Sequence, residues 1–172
     1  ISVLLLYIIT KRVTKQKLAA SLAVIIFSLS PLELYYGRRV LLDNIMIFWM
    51  SLSLFFATYN PQRLKFVILS AITFGIATLS KENALFMGPA ILYMIWIYTK
   101  KRTQIWSLTQ WIFVSISVIA LYPLYALEKG EFFPSGTPLG GTTQHVSFIQ
   151  TVLEQSSRGT NTLPWEKNSD FY

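Results

Sequence analysis

The chain has 172 residues, of which 53% are hydrophobic, 15% aromatic and only 13% charged, about half the charged share of a soluble globular domain, so water is not its main solvent. Its formal charge of +7 sits in short clusters between apolar runs. That pattern excludes a nucleic-acid-binding face, because lipid-facing helices leave no continuous basic surface, and the absence of cysteine excludes disulfides and thiolate metal sites.

Six apolar stretches follow one another along the chain: Ile1 to Ile9, Leu18 to Leu32, Leu41 to Tyr59, Phe66 to Leu79, Ala84 to Tyr98 and Ile105 to Leu127. They are expected to be helices, since a lone lipid-exposed strand would leave its backbone unpaired. The first is too short for a bilayer that takes roughly 20 apolar residues, so further chain is expected before Ile1. No helix stop marks Asp170-Phe171-Tyr172, and more chain is expected after it. A signal peptide cannot be judged from such a start.

Between the first two stretches lies the basic segment Lys11 to Lys17, between the third and fourth Asn60 to Lys65, and between the fifth and sixth Lys100 to Arg102. Together they hold nine of the fifteen Lys and Arg and none of the eight Asp and Glu. Cytoplasmic loops carry such an excess of Lys and Arg, so these segments are expected at the cytoplasmic face. A single long helix from Phe66 to Tyr98 would separate the second and third segments. The charge rule therefore favours a hairpin turning at Ser80-Lys81-Glu82-Asn83, with Gly88-Pro89 an irregularity in the returning helix. Leu18 to Leu32 is shorter than a crossing and is expected to tilt or to end below the interface.

The reading is an all-α polytopic membrane protein with about six membrane segments. A transmembrane domain covers residues 1-127, and a non-cytoplasmic polar loop rich in Gly, Pro, Ser, Thr and Gln covers 128-172. Within that loop Val146 to Gln155 places Val146, Ile149, Val152 and Leu153 on one face. Such a helix lies on the membrane or packs on its own loop, and both arrangements stay open. Neither an internal repeat nor a low-complexity tract is present.

Two segments could carry chemistry. Ser30 to Asn44 contains Glu33, Arg38, Arg39 and Asp43 and runs directly into an apolar stretch, where charge is costly unless it meets water, a partner or a ligand. Asp43 at a helix start also gains from unpaired amides and the helix dipole, so an N-cap flanked by two interfacial arginines is the plain alternative. Thr78 to Asn83 returns to the same side and holds Lys81 in a tight turn at headgroup level. A cation there suits a lipid phosphate, and simple snorkelling is its plain alternative. Two Arg, one Asp and one Lys on one face are the inventory for gripping a phosphate and orienting a hydroxyl.

The strings GRRVLLDNIMIFW and GIATLSKENALFMGP resemble segments of membrane glycosyltransferases of the protein O-mannosyltransferase and aminoarabinose-transferase type, the GT-C fold of family 39. The resemblance covers roughly Ser30 to Trp96, with a weaker echo in SRGTNTLPWEKNSDF. It implies a GT-C-like helix bundle that moves a sugar from a polyprenyl-phosphate donor, dolichyl or undecaprenyl, to an acceptor protein, lipid or glycan on the non-cytoplasmic face. It also implies a multi-pass protein of the plasma membrane in a prokaryote or of the endoplasmic reticulum in a eukaryote. Asp43 then matches the acidic residue of the second non-cytoplasmic loop, positioning a group or a metal. Lys81 matches a lysine near the donor phosphate, and Arg38 or Arg39 a basic residue preceding that Asp. The family's principal catalytic Asp would lie upstream of Ile1, so the residues here are not expected to be a complete active site or to act alone. Glu82, His145 and Arg158 are additional candidates.

No cofactor is certain, and a divalent metal is left open. His145 is the single histidine, and without an acidic partner at ligand spacing it is a weak metal signal. Phe132, Phe133, Trp165 and Tyr172 could stack on a sugar or anchor at the interface. P-loops, dinucleotide turns and HExxH helices are absent. A transporter or lipid flippase is the rival to the enzyme reading, and a non-catalytic membrane scaffold is a third. Transporters place polar groups near the midplane, whereas the ionisable residues here cluster at one surface beside a long polar loop.

Overall fold

The computed structural model describes residues 2–31, 42–134 and 147–161, with side chains described except at 42, 43 and 155–161. Every regular element among the described residues is helical: α1 (Ser2–Thr14), α2 (Lys17–Leu29), α3 (Leu42–Tyr59), α4 (Leu64–Ser80), α5 (Gly88–Tyr98), α6 (Gln104–Ile119), α7 (Leu121–Glu128) and α8 (Phe148–Asn161), with 3-10 turns at Glu82–Met87 and Lys101–Thr103. The chain forms two compact units, Ile1–Ile119 and Ala120–Tyr172.

Local chemistry sets the helix ends in the first unit. Between α1 and α2 the chain reverses at Lys15, whose φ of 58° is a left-handed conformation that L-residues adopt at a penalty. The Thr14 hydroxyl stays bound to the Thr10 carbonyl at 2.8 Å. Helix α3 stops at Tyr59 because Pro61 lies two residues beyond and cannot continue the ladder. The Asn60-to-Arg63 turn closes with a 3.0 Å hydrogen bond from the Arg63 amide to the Asn60 carbonyl. Arg12, at the end of α1, donates to the Tyr59 carbonyl at 2.6 Å and lies 4.6 Å from the Tyr59 ring centroid. It thereby satisfies one of the open carbonyls that every helix C-terminus leaves.

The sequence predicts a break near Gly88-Pro89, and the break is there. Proline removes a ladder hydrogen bond and clashes with the carbonyl four residues back, so it is tolerated only in a helix's first turn. The chain accordingly runs as a 3-10 turn to Met87 and becomes α5 from Gly88, with Pro89 at its start. The hairpin topology holds as well: α4 ends at Ser80, and Gly88 comes back against Phe74, whose Cζ lies 3.3 Å from where a Gly88 Cβ would stand.

Helix α4 is the centre of this unit. Val67, Ser70, Ala71, Thr73, Phe74, Gly75, Ala77 and Thr78 are all buried, because α3, α6 and the 3-10 turn all pack on this helix. Most of these side chains are small. In lipid there is little hydrophobic gain from pairing helices, so association relies on close backbone approach and interhelical hydrogen bonds. Both appear here. Ser53 Oγ donates to the Ser70 carbonyl at 2.9 Å and lies 3.1 Å from Ser70 Oγ, and the Trp111 indole N–H donates to Ser70 Oγ at 3.1 Å. One buried node therefore ties α3, α4 and α6 together.

Of the about six membrane segments expected, helix length supports one as a full crossing. Among the described residues only Lys101–Glu128, 28 residues, is long and apolar enough to cross a membrane, while Lys17–Leu29, Asn44–Tyr59 and Leu64–Ser80 are shorter apolar helices. At 1.5 Å per residue the 18 residues of α3 and 17 of α4 reach about 27 and 26 Å, against roughly 30 Å of hydrocarbon. The predicted run from Ile105 to Leu127 lies within the Lys101–Glu128 span; its ladder is interrupted locally at Ala120, where Pro123 has no N–H to offer the Ile119 carbonyl. Only 17% of the apolar window in Lys101–Glu128 is buried, and Ile105, Trp106, Phe113 and Ile116 of α6 are exposed. A core helix of a water-soluble protein would be mostly covered, so this exposed apolar face suits lipid.

In the second unit α7 ends in a Schellman motif: the Gly130 amide reaches the Leu127 carbonyl at 3.1 Å and the Glu131 amide that of Ala126 at 2.9 Å. Gly130 supplies the required positive φ of 70°. Helix α8 begins at Phe148, two residues later than the expected Val146, which lies outside the described residues. Its start is a capping box, with the Gln150 amide on Ser147 Oγ at 3.2 Å and the Ser147 amide on Gln150 Oε1 at 3.1 Å. The Phe148 ring stacks on Phe132 at 5.2 Å, while Val152 and Leu153 are exposed. One end of α8 thus packs on its own loop, and the next turn presents its apolar residues outward.

Candidate functional site at the end of the α3–α4 hairpin

The relative position of Asp43 and Lys81 follows from helix register. Helices α3 and α4 are joined by a short turn and pair antiparallel, with the Tyr59 and Phe66 ring centroids 5.1 Å apart near the turn and Ser53 on Ser70 further along. Ten residues back from Ser53 is Asp43, and ten residues on from Ser70 is Ser80. The N-terminus of α3 and the C-terminus of α4 therefore lie at the same end of the hairpin.

Asp43 is the second residue of α3, in the turn whose amides lack intrahelical partners and whose dipole end is positive. Lys81 is the first residue past α4. Its backbone turns extended (φ −160°, ψ 130°), and its amide still reaches the Ala77 carbonyl at 3.0 Å. The side chain is half-buried beside the negative end of the α4 dipole, a favourable place for a cation. The neighbouring hydroxyls are turned inward on α4: Ser80 Oγ donates to the Ile76 carbonyl at 2.9 Å and Thr78 Oγ1 to that of Phe74 at 3.1 Å. Glu82, exposed, opens the 3-10 turn.

The basic segments gather at the other end. Arg12 holds the last residue of α3, and α4 and α6 run parallel, since Ser70 meets Trp111 and Gly75 meets Val118. Seven residues back from Ser70 and Trp111 lie Arg63 and Gln104, so the Lys100-to-Arg102 segment enters beside the α3–α4 turn. The Gln104 amide nitrogen also donates to the Trp96 carbonyl at 2.8 Å, which ties the end of α5 to the same place.

Several candidates stand apart from this geometry. Arg38, Arg39 and His145 lie outside the described residues, and Arg158 belongs to α8 in the second unit. Among the described residues no group of three or more His, Asp or Glu comes together that could hold a metal ion. The Ser53–Ser70–Trp111 node was not singled out from sequence. Its only signal there is a serine in each of two adjacent apolar stretches, which becomes meaningful once the register brings them opposite one another.

The family profile of dolichyl-phosphate-mannose-protein mannosyltransferase matches residues 1–128, three-quarters of the chain. The chain belongs to this family. The resemblance carried by the strings around Asp43 and Lys81 therefore stands, and membership makes the chain part of a membrane glycosyltransferase family whose description names a mannosyl donor on dolichyl phosphate and a protein acceptor. No curated protein and no solved structure matches it.

Proposed function

We propose that this mannosyltransferase-family chain supplies the donor-phosphate side of a site that transfers a sugar from a polyprenyl-phosphate carrier at the non-cytoplasmic end of the bundle. Residues 1-127 form its membrane domain and 128-172 its non-cytoplasmic part. Supporting the reading is the register that sets Lys81 and Asp43 at one end of the α3–α4 hairpin while the basic segments occupy the other.

The reaction is displacement at the anomeric carbon: an acceptor hydroxyl forms the new C–O bond, the bond to the phosphate oxygen breaks, and polyprenyl phosphate departs with the electron pair. The hydroxyl's proton passes to a general base that is not assigned among the described residues. Charge grows on the departing phosphate, and a fixed cation at headgroup level stabilises it more in the transition state than in the bound donor. Lys81 fills that role, with Arg38 or Arg39 as the second cation and Glu82 at the rim. Asp43 orients a substrate group or a divalent metal from the positive end of α3.

The test is sugar transfer from dolichyl-phosphate mannose to an acceptor peptide, by membranes holding the full-length protein with Asp43→Asn or Lys81→Ala at equal expression. Each substitution is expected to reduce kcat by about 10²-fold, the loss seen when one preorganised charge or donor is removed. Undiminished transfer in both variants would take the two residues out of the site.

A further inference from the structure

The three basic segments are distant in sequence, yet packing brings them to one end of the first unit. The α1–α2 turn is fixed there by Arg12 on Tyr59. The α3–α4 turn carries Arg63 and Lys65, and the parallel pairing of α4 and α6 adds Lys100, Lys101 and Arg102. None of these segments contains an acidic residue to offset its charge locally. Arg63, Lys65, Lys100, Lys101 and Arg102 are exposed.

Exposed apolar side chains ring the same end. Ile105 and Trp106 are 73% and 69% exposed immediately after the third segment, Leu64 stands between Arg63 and Lys65, and Leu18 follows the first segment at 72%. A patch facing bulk water would not need large apolar residues among its cations. Aromatic and aliphatic side chains beside Lys and Arg are the composition of a surface at a bilayer's headgroup level.

We infer that this end is a binding surface for anionic phospholipid, its five exposed cations in the α3–α4 turn and the Lys100-to-Arg102 segment holding lipid phosphates of one leaflet while Trp106 and Ile105 sit among the upper acyl carbons. The surface is at the opposite end of the hairpin from Lys81 and does not rest on the proposed donor site. It anchors and orients the bundle and carries out no chemistry.

The test reconstitutes the full chain in bilayers of phosphatidylcholine mixed with phosphatidylglycerol, one or the other brominated, and reads quenching of tryptophan fluorescence. Near an anionic surface each cation is worth about a fivefold preference, so brominated phosphatidylglycerol is expected to quench as if enriched about fivefold over phosphatidylcholine. The enrichment should fall by at least about twofold in R63Q/K65Q/K100Q/K101Q/R102Q, which leaves the Lys11-to-Lys17 segment in place, and should fall in wild type at about 0.5 M salt, where screening acts within a few ångströms. Lys129→Gln, in the second unit, should leave it unchanged. Equal quenching by both lipids in wild type at low salt would overturn the proposal, as would enrichment left undiminished by the five substitutions. Loss of enrichment on adding inorganic phosphate alone, at constant ionic strength, would mean a free-anion site and would also overturn it. Should the quintuple variant fail to insert, the wild-type salt titration and Lys100→Gln/Arg63→Gln decide by the same criterion.

Discussion

Gly75 is where the packing of α4 on α6 is most tightly constrained, and Gly75→Ala tests it. A Cβ at this position would lie 2.6 Å from both Cβ and Cγ1 of Val118 and 3.6 Å from the Ser115 carbonyl. Ordinary carbon contacts begin near 3.4 Å, so the two helices would have to part by about 0.8 Å at this level. The obstructing atom includes a Cβ fixed to the α6 backbone, which no rotamer change removes. Parting the seam also stretches the neighbouring Ser115 hydroxyl contact to the Ala71 carbonyl, already 3.5 Å, and the Trp111 bond to Ser70 at 3.1 Å. Against this, alanine is a better helix former than glycine by about 1 kcal/mol. Overpacking of a close seam costs about 1–3 kcal/mol, and a clash with a Cβ fixed to the backbone takes the upper part of that range, about 2–3 kcal/mol, so a net loss of about 1–2 kcal/mol is expected. Unfolding in mixed micelles with increasing dodecyl sulfate would measure it. Because Val118 Cβ itself is in the way, Val118→Ala should rescue little of the loss, whereas Val118→Gly in the same background should recover most of it. Unchanged or raised stability of Gly75→Ala, or full rescue by Val118→Ala, would refute the close approach.

Three further outcomes follow from the same structure. Ser70→Ala leaves the Trp111 indole N–H buried without an acceptor and should destabilise by about 1–3 kcal/mol, while Ser53→Ala should cost only about 0.6 kcal/mol, the usual worth of an interhelical hydrogen bond in a membrane; micellar unfolding of both would expose the wrong order. Thr99 is 5% exposed and its hydroxyl has no hydrogen-bond partner among the described residues, so the isosteric Thr99→Val should raise stability by about 1 kcal/mol, read as a higher Tm. Lys15→Gly should stabilise the α1–α2 turn by about 1 kcal/mol by removing the Cβ from a left-handed position, and a lower Tm would show that the turn does not hold this conformation.

The broad outline of the first unit is legible in the sequence because charge asymmetry and proline act locally. Arg63/Lys65 and Lys100 to Arg102 flank two apolar stretches, and that alone selects the hairpin which the return of Gly88 onto Phe74 displays. Pro89 marks the start of α5 for the same reason. Pro123 carried an equal signal: the predicted last span is there, with its ladder interrupted at Ala120 because the proline's missing N–H falls four residues on from Ile119. Ser147 and Gln150 likewise spell a capping box, and they place the start of α8 later than its apolar pattern does. What sequence could not supply is register. The apposition of Ser53 with Ser70, and of Gly75 with Val118, depends on how one helix slides along another, and many offsets bury equally apolar faces. Charge asymmetry already set Lys81 and Asp43 on one side of the hairpin; the apposition of Ser53 with Ser70 adds the register that brings the two helix ends level. Arg38, Arg39 and His145 lie outside the described residues.

The enclosure of α4 has one further consequence, for Lys81. A helix gripped by neighbours on several sides cannot rise, sink or rotate by itself, so the point at which its chain ends is set to a fixed depth. In the donor-phosphate role proposed for Lys81, carriers whose phosphates ride slightly higher or lower would then be met by bending the lysine's own methylene stem, with the protein backbone left undisturbed.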